Sequence, residues 1–92
     1  MKTVWKYTLT LDEDLNFLEM PKDAEILTVQ IQHGFPTLWV LVDPSAPFEI
    51  RVVRVAGTGH ELPDNIGKYI GTFQIYEGSM IVHVFDMSEN KE

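Results

Sequence analysis

The segment from Arg51 to Lys68 carries the side chains best suited to hold an anion. It contains Arg51 and Arg54, the only arginines of the 92-residue chain, followed closely by the run Gly57-Thr58-Gly59-His60. A guanidinium forms paired hydrogen bonds with carboxylate or phosphate. The two glycines around Thr58 allow backbone N–H groups to turn toward an anion. Histidine adds a hydrogen bond or a charge near neutral pH. We therefore predict an anion-binding site here.

The predicted ligand-binding residues each have a role in this site. The arginines would hold phosphate, the Gly-Thr-Gly backbone would donate N–H groups, and a tyrosine would stack on a base. The full set is Arg51, Arg54, Thr58, Gly59, His60 and Tyr69.

A purely structural interpretation of the same segment stays open. The glycines can form a simple tight turn, and the arginines can pair with Glu49, Glu61 or Asp64. Because Arg51 and Arg54 are three residues apart, a regular strand would point them to opposite faces. Only one of them would then serve a given pocket, unless a β-bulge re-aims the other.

No pattern in the chain predicts a catalytic, metal or cofactor site. His33, His60 and His83 are far apart in the sequence, whereas metal sites usually contain at least one close pair of ligands. His83 alternates with apolar strand residues, so we interpret it as a satisfied core or interface histidine. Asp12 to Asp14 is interpreted as a solvated turn. The absence of cysteine excludes thiol catalysis, zinc–thiolate sites and disulfides.

The overall charge limits the classes of partner. Seven basic residues stand against fourteen acidic ones, giving a formal charge of −7. This balance argues against binding to duplex nucleic acid or to an anionic membrane surface, both of which require a basic face. The acidic residues gather in the N-terminal third and the tail, so a small anion can still bind the central segment.

The hydrophobic pattern alternates with a period of two, which predicts an all-β protein. We expect one small antiparallel sandwich or partly open barrel with meander connections, formed by residues 1–88, and a polar tail at 89–92. A hairpin turn is expected at Gly34 to Pro36, and helix is conceivable only at Leu15 to Met20 or near Pro63 to Gly67. Seven strands are predicted: Thr3 to Leu11, Leu15 to Met20, Ala24 to His33, Thr37 to Asp43, Phe48 to Ala56, Lys68 to Tyr76 and Ser79 to Met87.

Two further expectations follow from the pattern. A small sheet has open edges, which favours pairing with a copy of itself, so we expect a homo-oligomer. The N-terminus lacks the unbroken apolar stretch of a secretory signal, and no apolar run is long enough to cross a membrane. We therefore expect a cytoplasmic protein.

Motifs along nearly the whole chain resemble a family of short uncharacterised bacteriophage and prophage proteins. Val40 stands where members tend to carry alanine, a change in packing only. The resemblance implies a phage-type protein in the host cytoplasm and brings no established activity. It rests on Trp5-Lys6-Tyr7, Met20-Pro21, Leu38-Trp39, Leu41-Val42-Asp43-Pro44, Gly57-Thr58-Gly59-His60, Tyr69 to Gln74 and His83-Val84-Phe85.

Three functions are compatible with these observations. Phage context favours a non-catalytic binding protein that sequesters a small anionic nucleotide signal of host immunity. The alternative is an acidic protein–protein inhibitor or accessory module, suggested by the acidic cluster from Asp12 to Glu25. The third is a small phosphodiesterase-like enzyme that uses His60 or His83 as general acid–base.

Overall fold

A computed structural model describes residues 1–90, with the side chains of residues 1–88. The described chain consists of seven strands and one short 3-10 helix, in agreement with the predicted all-β class. The strands are β1 (Thr3–Thr8), β2 (Leu15–Pro21), β3 (Glu25–Gln32), β4 (Phe35–Val42), β5 (Phe48–Gly57), β6 (Lys68–Ile75) and β7 (Met80–Asp86), and the 3-10 helix is Met87–Asn90.

The strands form two antiparallel sheets that pack as a small sandwich. The three-stranded sheet has the order β1-β4-β3, and the four-stranded sheet has the order β2-β5-β7-β6. Among these seven strands, only β3–β4 and β6–β7 are hairpins between neighbours in sequence. The other connections change sheet or skip a strand, so the predicted meander holds only for these two hairpins. No barrel is closed within the described residues.

Alternating apolar side chains from both sheets form the core between them. In β4 the inward residues Leu38, Val40 and Val42 are fully buried. On the outward side of that strand Thr37 is buried and Trp39 and Leu41 are half-buried, as expected for the central strand of its sheet. Val53 on β5 and Val84 on β7 meet them from the four-stranded sheet.

The first hairpin turn is shifted from its predicted position, and neither segment where helix was conceivable is helical: Leu15 to Met20 is the predicted strand. The turn between β3 and β4 is His33-Gly34, both with positive φ, rather than Gly34 to Pro36. Two consecutive residues of this kind match the right-handed twist of the strands they connect. Leu15 to Met20 lies in a strand, and Pro63 to Gly67 forms no helix. The predicted tail begins within the 3-10 helix, and residues 91–92 lie outside the described residues.

A buried ion pair joins β5 to the end of β7. Arg51 donates from Nη2 to Asp86 Oδ2 at 2.6 Å, and from Nη1 to the carbonyl oxygen of Ala24 at 2.6 Å. Arg51 is 4% exposed and Asp86 2%. The second carboxylate oxygen of Asp86 accepts from the N–H of Ser88. These bonds connect the 3-10 helix and the turn before β3 to the centre of the four-stranded sheet.

Candidate ligand-binding face

The face of the four-stranded sheet that points away from the core carries most of the polar and aromatic side chains of the candidate site. We call it the outer face. Alternation along each strand and the register between strands define its side chains. On β5, Arg51 and Val53 point inward, so Val52 and Arg54 point outward. The outer-face residues used below are Phe17, Glu19, Ile50, Val52, Arg54, Tyr69, Thr72, His83 and Phe85.

Arg51 and Arg54 point to opposite sides of their strand, as their spacing predicts. The guanidinium of Arg51 is bound inside the sandwich by Asp86, which is none of the three acidic partners suggested from sequence. Arg51 therefore does not reach the outer face where Arg54 lies. The two arginines therefore have different surroundings, Arg51 in the interior and Arg54 on the outer face.

Arg54 is a half-buried cation without a partner on the outer face. Its Nε is buried, and no side chain that the structure describes accepts a hydrogen bond from it or pairs with the guanidinium. Burying a charged hydrogen-bonding group without a partner is unfavourable. The partly exposed guanidinium is therefore open to an acceptor from outside the described residues.

Arg54, Phe85 and Tyr69 form a row across three adjacent strands. Phe85 lies opposite Arg54 on one side and opposite Tyr69 on the other. The Tyr69 and Phe85 rings meet edge to face, with their centroids 5.8 Å apart. Because neighbouring strands are about 4.8 Å apart, the backbones that carry Arg54 and Tyr69 are about 10 Å apart, with the Phe85 ring between them. This spacing suits a ligand with an anion at one end and a planar ring at the other.

A chain of hydrogen bonds runs next to this row. Thr58 Oγ1 lies 2.7 Å from His83 Nε2, and His83 Nδ1 lies 2.9 Å from Thr72 Oγ1. Thr72 Oγ1 is in turn 2.6 Å from Tyr69 Oη. A neutral imidazole donates from one nitrogen and accepts at the other, so every bond of the chain can be satisfied at once. His83 is accordingly a satisfied histidine, at an exposed face rather than in the core.

The Gly57–His60 segment forms a closed turn that uses part of its backbone N–H groups within the protein. The N–H of His60 donates to the carbonyl oxygen of Gly57, and the N–H of Thr58 donates to that of Ile81. Gly59 has φ +89°, the value that a type II turn requires at its third position. The Thr58 N–H, one of the three in Gly57-Thr58-Gly59 expected to hold phosphate, is therefore used within the protein.

His60 packs on Gly57 beside a small cavity at the end of the sheet. A side-chain carbon at Gly57 would lie 2.9 Å from His60 Cε1, so the ring occupies the space that glycine leaves. The cavity measures about 250 Å³ and is bordered also by Thr58, Ser79 and Met80. It is smaller than the cavities of about 300–1,000 Å³ that enclose whole cofactors.

The six predicted site residues thus separate into three groups. Arg54, Thr58 and Tyr69 are brought together on the outer face, Gly59 and His60 lie at its end, and Arg51 lies inside. Sequence reasoning missed Thr72 and Phe85 as site residues and did not place His83 among them. Alternation puts His83 and Phe85 on one face already in the sequence, but the pairing of β7 with β5 and β6, which brings them to Arg54 and Tyr69, is a long-range property.

No group of three His, Asp or Glu side chains suited to a metal ion occurs in the part of the chain that the structure describes. None of the helical segments within residues 1–90 is long and apolar enough to cross a membrane.

Comparisons with known proteins identify one family. A family model described as "Domain of unknown function (DUF7352)" matches residues 1–92. No curated protein and no solved structure matches the chain. The family model covers the chain from end to end, and the protein therefore belongs to the DUF7352 family.

Proposed function

We propose that this protein is a non-catalytic binding protein that holds a small anionic nucleotide on its outer face. The observation that carries the proposal is the half-buried Arg54, whose Nε has no partner and which lies in one row with Phe85 and Tyr69. Arginine is the side chain best matched to phosphate because its donors form a planar fork. Aromatic side chains provide the stacking surface for a base.

The proposed binding mode uses both ends of the row. The phosphate would accept hydrogen bonds from Arg54, and the base would stack on Tyr69, whose side chain is 57% exposed. The ribose would lie near the hydroxyl groups of Thr58 and Thr72. The resemblance to phage proteins suggests that such a protein sequesters a nucleotide signal of host immunity.

The chemistry around the two nearby histidines supports binding rather than the phosphodiesterase alternative. Both ring nitrogens of His83 are held by hydroxyl groups, and no described carboxylate orients the ring. The ring of His60 packs on Gly57. A general base normally has one nitrogen free for the proton that it abstracts.

Isothermal titration calorimetry of the folded protein tests this proposal. The panel contains cyclic and ADP-ribose-derived nucleotides, the matching uncharged nucleosides and inorganic phosphate. We expect at least one nucleotide to bind, with weaker binding of its nucleoside. Arg54→Gln should reduce affinity about tenfold or more, since hydrogen bonds to charged groups contribute about 1.5–3 kcal/mol. Tyr69→Leu should reduce it by a similar factor, since stacking contributes about 1–3 kcal/mol per base.

Lys6→Gln is the matched control because it removes one positive charge from the other sheet of the sandwich. Its affinity should equal that of the unmodified protein. Failure of the whole panel to bind, or equal binding by Arg54→Gln, would refute the proposal. Release of a hydrolysed nucleotide during long incubation would instead favour the enzyme alternative.

A protein partner is the second candidate, and a specific observation favours it. Phe17 and Ile50 are exposed side by side on the β2–β5 part of the outer face, next to Glu19. Exposed apolar side chains rimmed by polar ones are typical of protein interfaces. An acidic chain that uses this surface would bind a partner with a basic rim, and that complex should weaken as salt rises.

A further inference from the structure

The β2–β5 part of the outer face is apolar at its centre and open to solvent. Phe17 is 59% exposed and Ile50 53% exposed. Phe17 lies opposite Val52 on the neighbouring strand, and Ile50 lies on the same side of β5, two residues away. Removing such apolar surface from water is favourable by about 25 cal/mol per Å².

The two charged side chains of this region flank the apolar centre symmetrically. Glu19 lies two residues beyond Phe17 on β2, in register with Ile50. Arg54 lies two residues beyond Val52 on β5 in the opposite direction, in register with Leu15. One negative and one positive group therefore stand at equal distances on either side of the Phe17–Val52 pair. In a chain of formal charge −7, the two charges here cancel.

We propose that a second copy of this chain covers this region across a two-fold axis, with Glu19 of each copy bound to Arg54 of the other. The axis lies in the interface, perpendicular to the strands, and passes over the Phe17–Val52 pair. It stacks Phe17 on Phe17 of the partner subunit. It also places the Glu19–Ile50 pair of each copy over the Leu15–Arg54 pair of the other copy.

The distances are compatible with this arrangement. Stacked sheets lie about 10 Å apart and neighbouring strands about 4.8 Å apart. Glu19 on β2 is therefore separated from Arg54 of the partner subunit by one strand spacing sideways and by the gap between the two sheets. The two long side chains together can span this distance. The pair supplies an acceptor for Arg54, whose Nε has none among the residues that the structure describes. A two-fold axis forms this contact twice, as self-complementary interfaces require.

The size of the face indicates a weak, reversible dimer. Four strands at a spacing of about 4.8 Å and seven residues at about 3.3 Å each give a flat footprint of about 440 Å² per copy. Specific stable interfaces bury about 800 Å² of accessible surface per partner, and smaller ones belong to transient complexes. We therefore expect a monomer–dimer equilibrium that shifts with protein concentration.

The dimer does not depend on the proposed nucleotide function, but the two share Arg54. One guanidinium cannot bind a phosphate and Glu19 of the partner subunit at the same time. Given the proposed function, nucleotide and second copy compete, and saturating nucleotide should dissociate the dimer. This competition is the one part of the inference that rests on the proposed function.

Sedimentation velocity over a wide concentration range tests the dimer. The unmodified protein should shift from monomer to dimer as concentration rises. Phe17→Ser and Glu19→Arg should each weaken the dimer about tenfold or more, and Glu19→Arg combined with Arg54→Glu should restore it because the ion pair is reversed. Phe35→Ser is the control, since it removes an equally exposed phenylalanine from the three-stranded sheet and should leave the equilibrium unchanged.

Cross-linking gives a second, independent readout. Because the chain contains no cysteine, Val52→Cys introduces a single thiol per copy under the proposed axis while keeping Phe17, and a short bismaleimide should join two copies of this variant through their thiols. Val4→Cys, on the three-stranded sheet, should not link. A protein that stays monomeric at all concentrations overturns the dimer. Failure of the double reversal to restore a dimer, in a protein that circular dichroism shows to be folded, overturns the assigned ion pair.

The two proposals fail separately. Glu19→Gln should weaken the dimer while keeping or tightening nucleotide binding, whereas Arg54→Gln should weaken both. A dimer without nucleotide binding refutes only the proposed function. Nucleotide binding by a strictly monomeric protein refutes only the dimer.

Discussion

The buried pair of Arg51 and Asp86 allows a quantitative prediction about stability. Asp86→Asn keeps the shape of the side chain but removes the negative charge that faces the guanidinium at 2.6 Å. Arg51 then keeps its bond to the Ala24 carbonyl oxygen but loses the Asp86 counter-charge in an interior site. Breaking one side of such a pair typically costs about 3–5 kcal/mol, because the remaining ion has lost its hydration without a counter-charge.

This cost is large for a chain of this size. Domains are stable by about 5–15 kcal/mol, so the substitution removes a substantial part of the total. Unfolding entropy of about 2.1 cal/mol/K per residue gives about 0.19 kcal/mol/K for the whole chain. The melting temperature should therefore fall by about 15–25 °C. Calorimetry at neutral pH measures the shift, and urea unfolding checks it at constant temperature.

The combined variant Arg51→Met with Asp86→Leu separates the pair's charge from its packing. Replacing both ions by apolar side chains of similar volume removes the desolvation cost together with the attraction. We expect its melting temperature to lie much closer to that of the unmodified protein than to that of Asp86→Asn. A decrease of only a few degrees for Asp86→Asn would refute the reasoning. Equal destabilisation of single and double variants would show that shape, not charge, dominates.

Three further predictions concern other parts of the chain. Gly67→Ala should lower the melting temperature much more than Gly59→Ala. Both glycines have positive φ, but the added side-chain carbon at Gly67 would lie 2.5 Å from the backbone oxygen of Asp86, whereas at Gly59 it would meet nothing within 4 Å. Asn16→Ala should cost about 1–3 kcal/mol in urea unfolding, because this buried amide bonds both backbone groups of one residue in the loop before β2. The Ser45 hydroxyl, followed by the Ser45 N–H, lowers the pKa of Asp43 below its ordinary value of 3.8. Ser45→Ala should raise the pKa of Asp43 in an NMR titration. Because this pKa is lower in the folded protein than in the unfolded chain, the ionised Asp43 stabilises the fold above pH 3.8, and this stabilisation is lost as the pH falls below that value.

The strands could be predicted from sequence because their signal is local. Alternation predicted β5 with its start at Phe48 and its end within one residue of Gly57. It also predicted that Arg51 and Arg54 point to opposite faces. It could not predict which face is inside at Arg51, because the acceptor, Asp86, is 35 residues away on another strand. It also could not predict that Thr58 donates its N–H to a distant strand instead of leaving it for an anion.

The hydrogen-bond chain from Thr58 to Tyr69 couples its two ends without moving a heavy atom. With neutral His83, the hydrogen bonds can run in either of two directions. When His83 Nε2 carries the proton, it donates to Thr58, and the Thr58 hydroxyl is left to donate to solvent. When Nδ1 carries the proton, it donates to Thr72, Thr72 donates to Tyr69, and the Tyr69 hydroxyl is left to donate to solvent. A ligand that accepts a hydrogen bond at one end therefore turns the opposite end into an acceptor. Two ligands that both need a donor, one at each end, therefore exclude each other.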